Sequence, residues 1–193
     1  MHSKNFLKET TEITKLIDSY KIERISKELA QIKKNNGRIF FLGVGGSAGN
    51  CSHAVNDFRK LCKIECYTPT DNVSELTARI NDDGWDSSFV EWLKINNCTK
   101  KDAIFIMSVG GGNIKRNVSV NLIKAIKFAR LKKMKIFGIV GKINSYTEKN
   151  SDICIQIPVL NQKWVTPQSE AFQSVIWHCL VSNPVLQKTK TKW

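Results

Sequence analysis

The chain of 193 residues is short of acids: 17 Asp and Glu stand against 30 Lys and Arg, a formal net charge of +13. That imbalance favours anionic partners, such as nucleic acid, a membrane surface or phosphorylated small molecules; a solvated basic surface is the plain alternative. No apolar run approaches the ~18 residues of a membrane span, and Met1-His2-Ser3-Lys4 opens no signal-peptide core. A cytoplasmic protein with no membrane partner is expected. The six cysteines include no CxxC pair; Cys62 and Cys66 are spaced CxxxC. Cys154 lies in an apolar run and Cys179 in an apolar helical pattern. Buried free thiols in a reducing compartment are expected, not a disulfide framework. Glycine (11) and proline (4) are too scarce for collagen or low-complexity disorder. No Gly-Lys-Ser/Thr follows a strand pattern, which excludes a Walker A nucleotide site.

What remains is ordinary globular composition, 41% hydrophobic and 24% charged, in a length that suits one domain. Residues 1–36 read as a helical segment, 37–184 as an α/β core and 185–193 as a basic tail. In the first segment apolar residues recur at helical spacing over 6–34, with a polar break near 18–21. A helix before the first strand is expected to pack outside the domain or on another subunit. Apolar runs at 38–42, 63–67, 103–109, 135–140 and 152–158 predict five buried strands. Helical patterns at 50–61, 72–80, 86–95, 117–133 and 166–182 alternate with them. Thr166 is the expected N-cap of the last helix, with Pro167 at its first position. Apolar strands alternating with helices predict a mainly parallel sheet covered on both faces, a three-layer α/β/α sandwich.

Seven of the eleven glycines fall in two clusters, 43, 45, 46, 49 and 110–112. Each follows a strand and precedes a helix, which is the carboxyl edge where open α/β sheets bind ligands. Helix N-termini there offer free N–H groups to an anion, and Ser47 and Ser108 add hydroxyls. Two tight turns without a ligand are the alternative for either cluster alone. No acid stands where a dinucleotide site needs one, since Thr68 and Thr70 occupy the end of the second strand. A sugar phosphate therefore ranks above a nucleotide.

Of three histidines, His53 lies on the helix after the first glycine loop, with Asp57 four residues on and so on the same face. His178 lies on the last helix, with Glu170 near its start. Imidazole plus carboxylate serves proton transfer near neutral pH, and is also a plausible Zn²⁺ set. A solvated i,i+4 pair, a dipole-complementing Glu170 and a core His178 are the structural alternatives. Glu170 and His178 are about 12 Å apart along a helix. A complete site therefore points to helices from a neighbouring subunit.

These segments resemble the sugar isomerase (SIS) domain and, within it, the phosphoheptose isomerases. Leu42-Gly43-Val44-Gly45-Gly46-Ser47-Ala48 resembles the family's glycine-glycine-serine loop. The stretch Thr70-Asp71-Asn72 to Leu76-Thr77-Ala78, with Asn81-Asp82-Asp83-Gly84, resembles its central substrate segment. Ser108-Val109-Gly110-Gly111-Gly112-Asn113 stands in the place of its phosphate loop, and Thr166-Pro167-Gln168-Ser169-Glu170 to His178 resembles its C-terminal helix. The resemblance implies an aldose–ketose isomerase, converting sedoheptulose 7-phosphate for surface-glycan heptose (lipopolysaccharide or capsule). It implies a homotetramer with active sites between subunits. It implies a metal, usually zinc, at His53, Asp57, Glu170 and His178, although Asp57 stands where the family has Glu and Glu170 where it has Gln. Asp57, His178 and Glu170 are the expected catalytic residues. Val44, Gly45, Gly46, Ser47, Asn81, Asp82, Ser108, Val109, Gly110 and Asn113 are the expected substrate contacts. The alternative is a non-catalytic phosphosugar-binding or regulatory SIS protein, associated with a replication initiator or nucleic acid. Lys124, Lys127, Arg130, Lys132, Lys133 and the tail would carry such a contact, but a solvated face is the preferred reading of them. No DNA-binding module accompanies them, so nucleic acid is not the expected partner.

Overall fold

The computed structural model describes residues 1–190; the last three positions of the basic tail, 191–193, lie outside the described residues. Five strands form one parallel sheet: β1 (Ile39–Leu42), β2 (Cys66–Tyr67), β3 (Ala103–Ser108), β4 (Lys135–Val140) and β5 (Ile153–Gln156). Their order is β2-β1-β3-β4-β5. All of β1 and β3 is buried, which is why these strands read as unbroken apolar runs rather than alternating ones.

Two apolar layers enclose the sheet. On one face lie α2 (Ser19–Lys34), α3 (Gly46–Asp57) with the turn that follows it, and α8 (Val165–Ser182), which bury Ile25, Leu29, Phe58, Phe172 and Trp177 against Phe41 and Phe105. On the other, α5 (Ser88–Ile95) and α6 (Val120–Leu131) pack Trp92, Phe89 and Ile126 against Phe40 and Ile104. Helices α4 (Val73–Asp83) and α7 (Tyr146–Asn150) flank that second layer. The predicted three-layer architecture is the observed one.

The first helical segment divides at the expected polar break, at Asp18, whose side chain caps α2 by accepting from the Lys21 N–H. Other details differ from the sequence reading. Only α1 (His2–Leu16) lies outside, burying Ile13 alone. It is held by Thr10 against Gln168 and by the Phe6 ring against Trp164. Helix α2 is instead a layer helix, because its Ile22, Ile25, Leu29 and Ile32 stripe is needed to cover β5. Strand β2 keeps two residues of the five expected, since a π-turn over Phe58–Cys62 and a left-handed Lys63 consume the approach. Thr166 does not cap α8: a 3-10 turn, Gln162–Trp164, runs into the helix, so Val165 is already helical and Pro167 sits inside the first turn. Helix α6 starts three residues late because Asn117 and Ser119 adopt left-handed backbone. Cys179 is exposed, unlike the other five thiols, because it faces away from the sheet on α8.

Candidate active site

In this strand order the chain leaves β1 towards β2 in one direction and builds β3, β4 and β5 in the other. The switch point falls between β1 and β3, whose paired ends (Leu42 opposite Ile106) bring both glycine loops together. In the first loop Gly45 takes φ +63° as the residue before α3, a conformation that glycine adopts without strain. Val44 and Gly46 are exposed beside it, and Ser47 is buried in the first turn of α3. In the second loop the Ser108 hydroxyl accepts from the Gly111 N–H at 2.9 Å and keeps its own proton to donate. Gly111 (φ +65°) presses on Ser145, which itself caps α7, so a side chain there has no room. Around Gly110 there is open space. Asn113 is used in a turn: its backbone bridges Val118 and its side chain accepts from the Arg116 N–H.

Glu170 reaches this crevice. A β-carbon placed on Gly46 would lie 2.6 Å from the Glu170 carboxyl group, so the carboxylate rests on that glycine. Asn50 anchors the helix pair by donating to the Glu170 carbonyl (3.0 Å) and to Gln173 (3.2 Å). Asn81 and Asp82 lie exposed at the end of α4, with the Asn81 amide donating to the Asp82 carboxylate.

A second group lies further along the same two helices. His53 and Asp57 on α3 meet His178 on α8, with one ligand atom of each within 4.8 Å of the others. His53 Nε2 is 3.8 Å from the Asp57 carboxylate. The His53 ring stands edge-on to buried Trp177, centroids 4.7 Å apart, and His178 stacks on the same indole. His178 is exposed, which removes the core-histidine alternative. Its Nδ1 lies 2.8 Å from the Ser174 carbonyl, which can only accept; Nδ1 therefore carries the proton and Nε2 the lone pair. Metal-binding histidines show that same outer hydrogen bond. Together with the His/Asp/His donor set, this fits a divalent ion such as zinc. The group opens on a groove of about 800 Å³ that Lys60, Val175 and Cys179 also line.

The expected four-residue metal set is therefore divided. His53 and Asp57 lie seven and eleven residues from Gly46, about 10 and 16 Å along α3. Glu170 belongs to the glycine crevice and His178 to the histidine group. Sequence spacing flagged all four residues and the 12 Å helical separation. It carried no sign of the Ser174 carbonyl, the Trp177 platform or the rest of the groove, because these depend on how α3 and α8 cross.

No family model matches this chain. Over 149 residues it is 29% identical to the phosphoheptose isomerase of Rhodospirillum rubrum, covering 75% of this chain and 73% of that protein. Over 162 residues it is 29% identical to that of Aliarcobacter butzleri, covering 80% and 82%. The structure of a phosphoheptose isomerase from Francisella tularensis superposes with a TM-score of 0.80, at 17% identity and covering 93% of this chain and 94% of that one. The fold and the sequence likeness agree: the chain shares the fold of the phosphoheptose isomerase structures and is similar in sequence to curated phosphoheptose isomerases over three quarters or more of its length.

Proposed function

We propose that the protein is an aldose–ketose isomerase of sugar phosphates, converting sedoheptulose 7-phosphate to D-glycero-D-manno-heptose 7-phosphate. The observation that carries this reading is the pairing of two glycine loops at the sheet's switch point with acid and imidazole groups on α3 and α8. The phosphate takes backbone N–H groups of the loops and the hydroxyls of Ser47 and Ser108. Asp57 removes a proton from C1 of the open-chain ketose, giving a cis-enediol, and the proton returns at C2. His178 moves the hydroxyl proton from O1 to O2, so no atom is gained or lost. Glu170 and His53 hold the sugar between them. A zinc or similar ion held by His53, Asp57 and His178 would occupy the His178 Nε2 lone pair and would itself polarise the sugar's oxygens, in place of the O1-to-O2 proton movement by His178.

Because the crevice and the histidine group lie two to three helical turns apart, the site is completed between copies of the chain. One copy offers its glycine loops and Glu170, another its His53, Asp57 and His178. A homotetramer, as the resemblance implies, supplies such contacts. The product would feed heptose synthesis for lipopolysaccharide or capsule in the cytoplasm. Subunit mixing tests the arrangement. Asp57→Asn and Glu170→Ala chains, each inactive alone, regain turnover when co-assembled, because some sites then receive two intact halves. No regain, in mixed oligomers verified as such, refutes the shared site.

A further inference from the structure

In a parallel sheet with helices on both faces, every helix that precedes a strand ends at the same edge, opposite the ligand crevice. Here that edge is lined with lysine. Lys34 ends α2 before β1, Lys63 precedes β2, Lys100 and Lys101 precede β3, and Lys132 and Lys133 precede β4. All six are exposed, and among the described residues none pairs with a carboxylate. The strand order sets them in the sequence Lys63, Lys34, Lys100–Lys101, Lys132–Lys133, a row across four adjacent strands spanning about 14 Å. Gly37 packs directly on the Lys101 backbone, which closes the middle of the row. A groove of about 470 Å³ there is lined by Lys34, Lys100 and Lys101 with Asn35 and Asn36.

Lys63 and Lys133 stand in left-handed backbone (φ +55° and +57°) at the turns that lead into β2 and β4. Two further facts concern the occupant. Two aliphatic side chains project at the same edge, Leu131 at 78% and Ile95 at 68% exposure. The edge's arginines are engaged elsewhere, Arg38 with Asp102 and Arg130 with Asp152 and the Asn150 carbonyl. Free arginine forks and stacking aromatics would suit nucleic acid. A row of point-charge lysines with protruding aliphatics suits an anionic lipid surface.

We infer that the amino edge of the sheet is a docking surface for anionic membrane lipid, with the six lysines over the headgroups and Leu131 and Ile95 in the interfacial layer. This goes beyond the isomerase reading, revises the expectation of no membrane partner, and leaves the crevice at the opposite edge open to substrate. The test is sedimentation of the full chain with vesicles of phosphatidylcholine alone and of phosphatidylcholine with one-third phosphatidylglycerol, at low and high salt. Binding is expected at least about tenfold stronger on the anionic vesicles and lost at high salt. Lys100→Glu with Lys101→Glu, and separately Lys132→Glu with Lys133→Glu, should each abolish it, at about fivefold or more per lysine. Leu131→Ser should weaken it without removing the salt dependence. Circular dichroism and oligomer size of the variants should match the wild type. Equal binding to neutral vesicles, or binding unmoved by charge reversal, overturns the inference. So does tight binding to duplex DNA with no vesicle binding. The outcome is independent of turnover: an inactive protein that binds these vesicles upholds the docking surface and rejects only the isomerase reading.

Discussion

His178 donates its Nδ1 proton to the carbonyl oxygen of Ser174, one helical turn earlier and 2.8 Å away. This bond fixes the tautomer and leaves Nε2 with the free lone pair, on an imidazole grouped with His53 and Asp57. His178→Gln is therefore expected to lower zinc affinity by more than the roughly 10–100-fold that loss of an outer-shell partner costs. Titration calorimetry with zinc checks it. Unchanged affinity in both His178→Gln and Asp57→Asn would remove the three residues as a metal site.

Gly46→Ala should separate activity from stability. The new methyl meets the end of a flexible Glu170 side chain, which can swing away at little energetic cost. The melting temperature should change little, while turnover falls at least tenfold as the carboxylate leaves the crevice. Gly111→Ala should behave differently. It is strained by φ +65° and collides with Ser145, and should lose about 1–3 kcal/mol of stability in urea unfolding.

Arg38 and Asp102 tie the amino ends of β1 and β3 together. Asp102, 2% exposed, accepts from the Arg38 backbone and guanidinium and from the Thr99 N–H. Burial alone would raise its pKa; the Arg38 guanidinium and the two backbone N–H groups outweigh that and hold it below the usual carboxylate range. The folded pKa lies below the unfolded one. The stabilisation is thus complete above the ordinary Asp pKa and is lost as pH falls through the depressed value. Asp102→Ala should cost about 2–3 kcal/mol at neutral pH, with the part-exposed guanidinium keeping it below the fully buried range. The gap from wild type should narrow below about pH 4. A gap independent of pH would contradict the assignment.

Thiol labelling should distinguish Cys179 from the rest. Burial raises Cys62 and Cys98 to about 11 and Cys66 and Cys154 to about 12, and pushes Cys51 higher still. At pH 8 the native protein should react with an alkylating reagent at Cys179 alone, and the denatured protein at all six cysteines. Mass spectrometry of the labelled peptides reads the result.

Much of this was legible in the residues because parallel strands are buried on both faces. Ile39 to Leu42 and Ala103 to Ser108 could be nothing but interior, and their glycine-rich exits marked the crevice before any coordinate. The two-residue β2 was overestimated because Ile64 is buried without pairing as strand. The cap at Thr166 failed because cap propensity is local, whereas the 3-10 turn at Gln162–Trp164 lets α8 begin earlier. His53, Asp57 and His178 could be listed from the sequence, and helical spacing put His53 and Asp57 on one face and Glu170 about 12 Å from His178. That Glu170 lies on Gly46 could not be read, because it depends on the crossing of α3 and α8.

The most direct test is incubation of the metal-loaded protein with sedoheptulose 7-phosphate in deuterated water, with and without chelator. An aldose heptose 7-phosphate carrying deuterium at C2 is the predicted result, diminished by Asp57→Asn and His178→Gln. A properly assembled oligomer that binds the sugar phosphate but yields no aldose under any metal condition would contradict an isomerase and leave a phosphosugar-binding protein in its place.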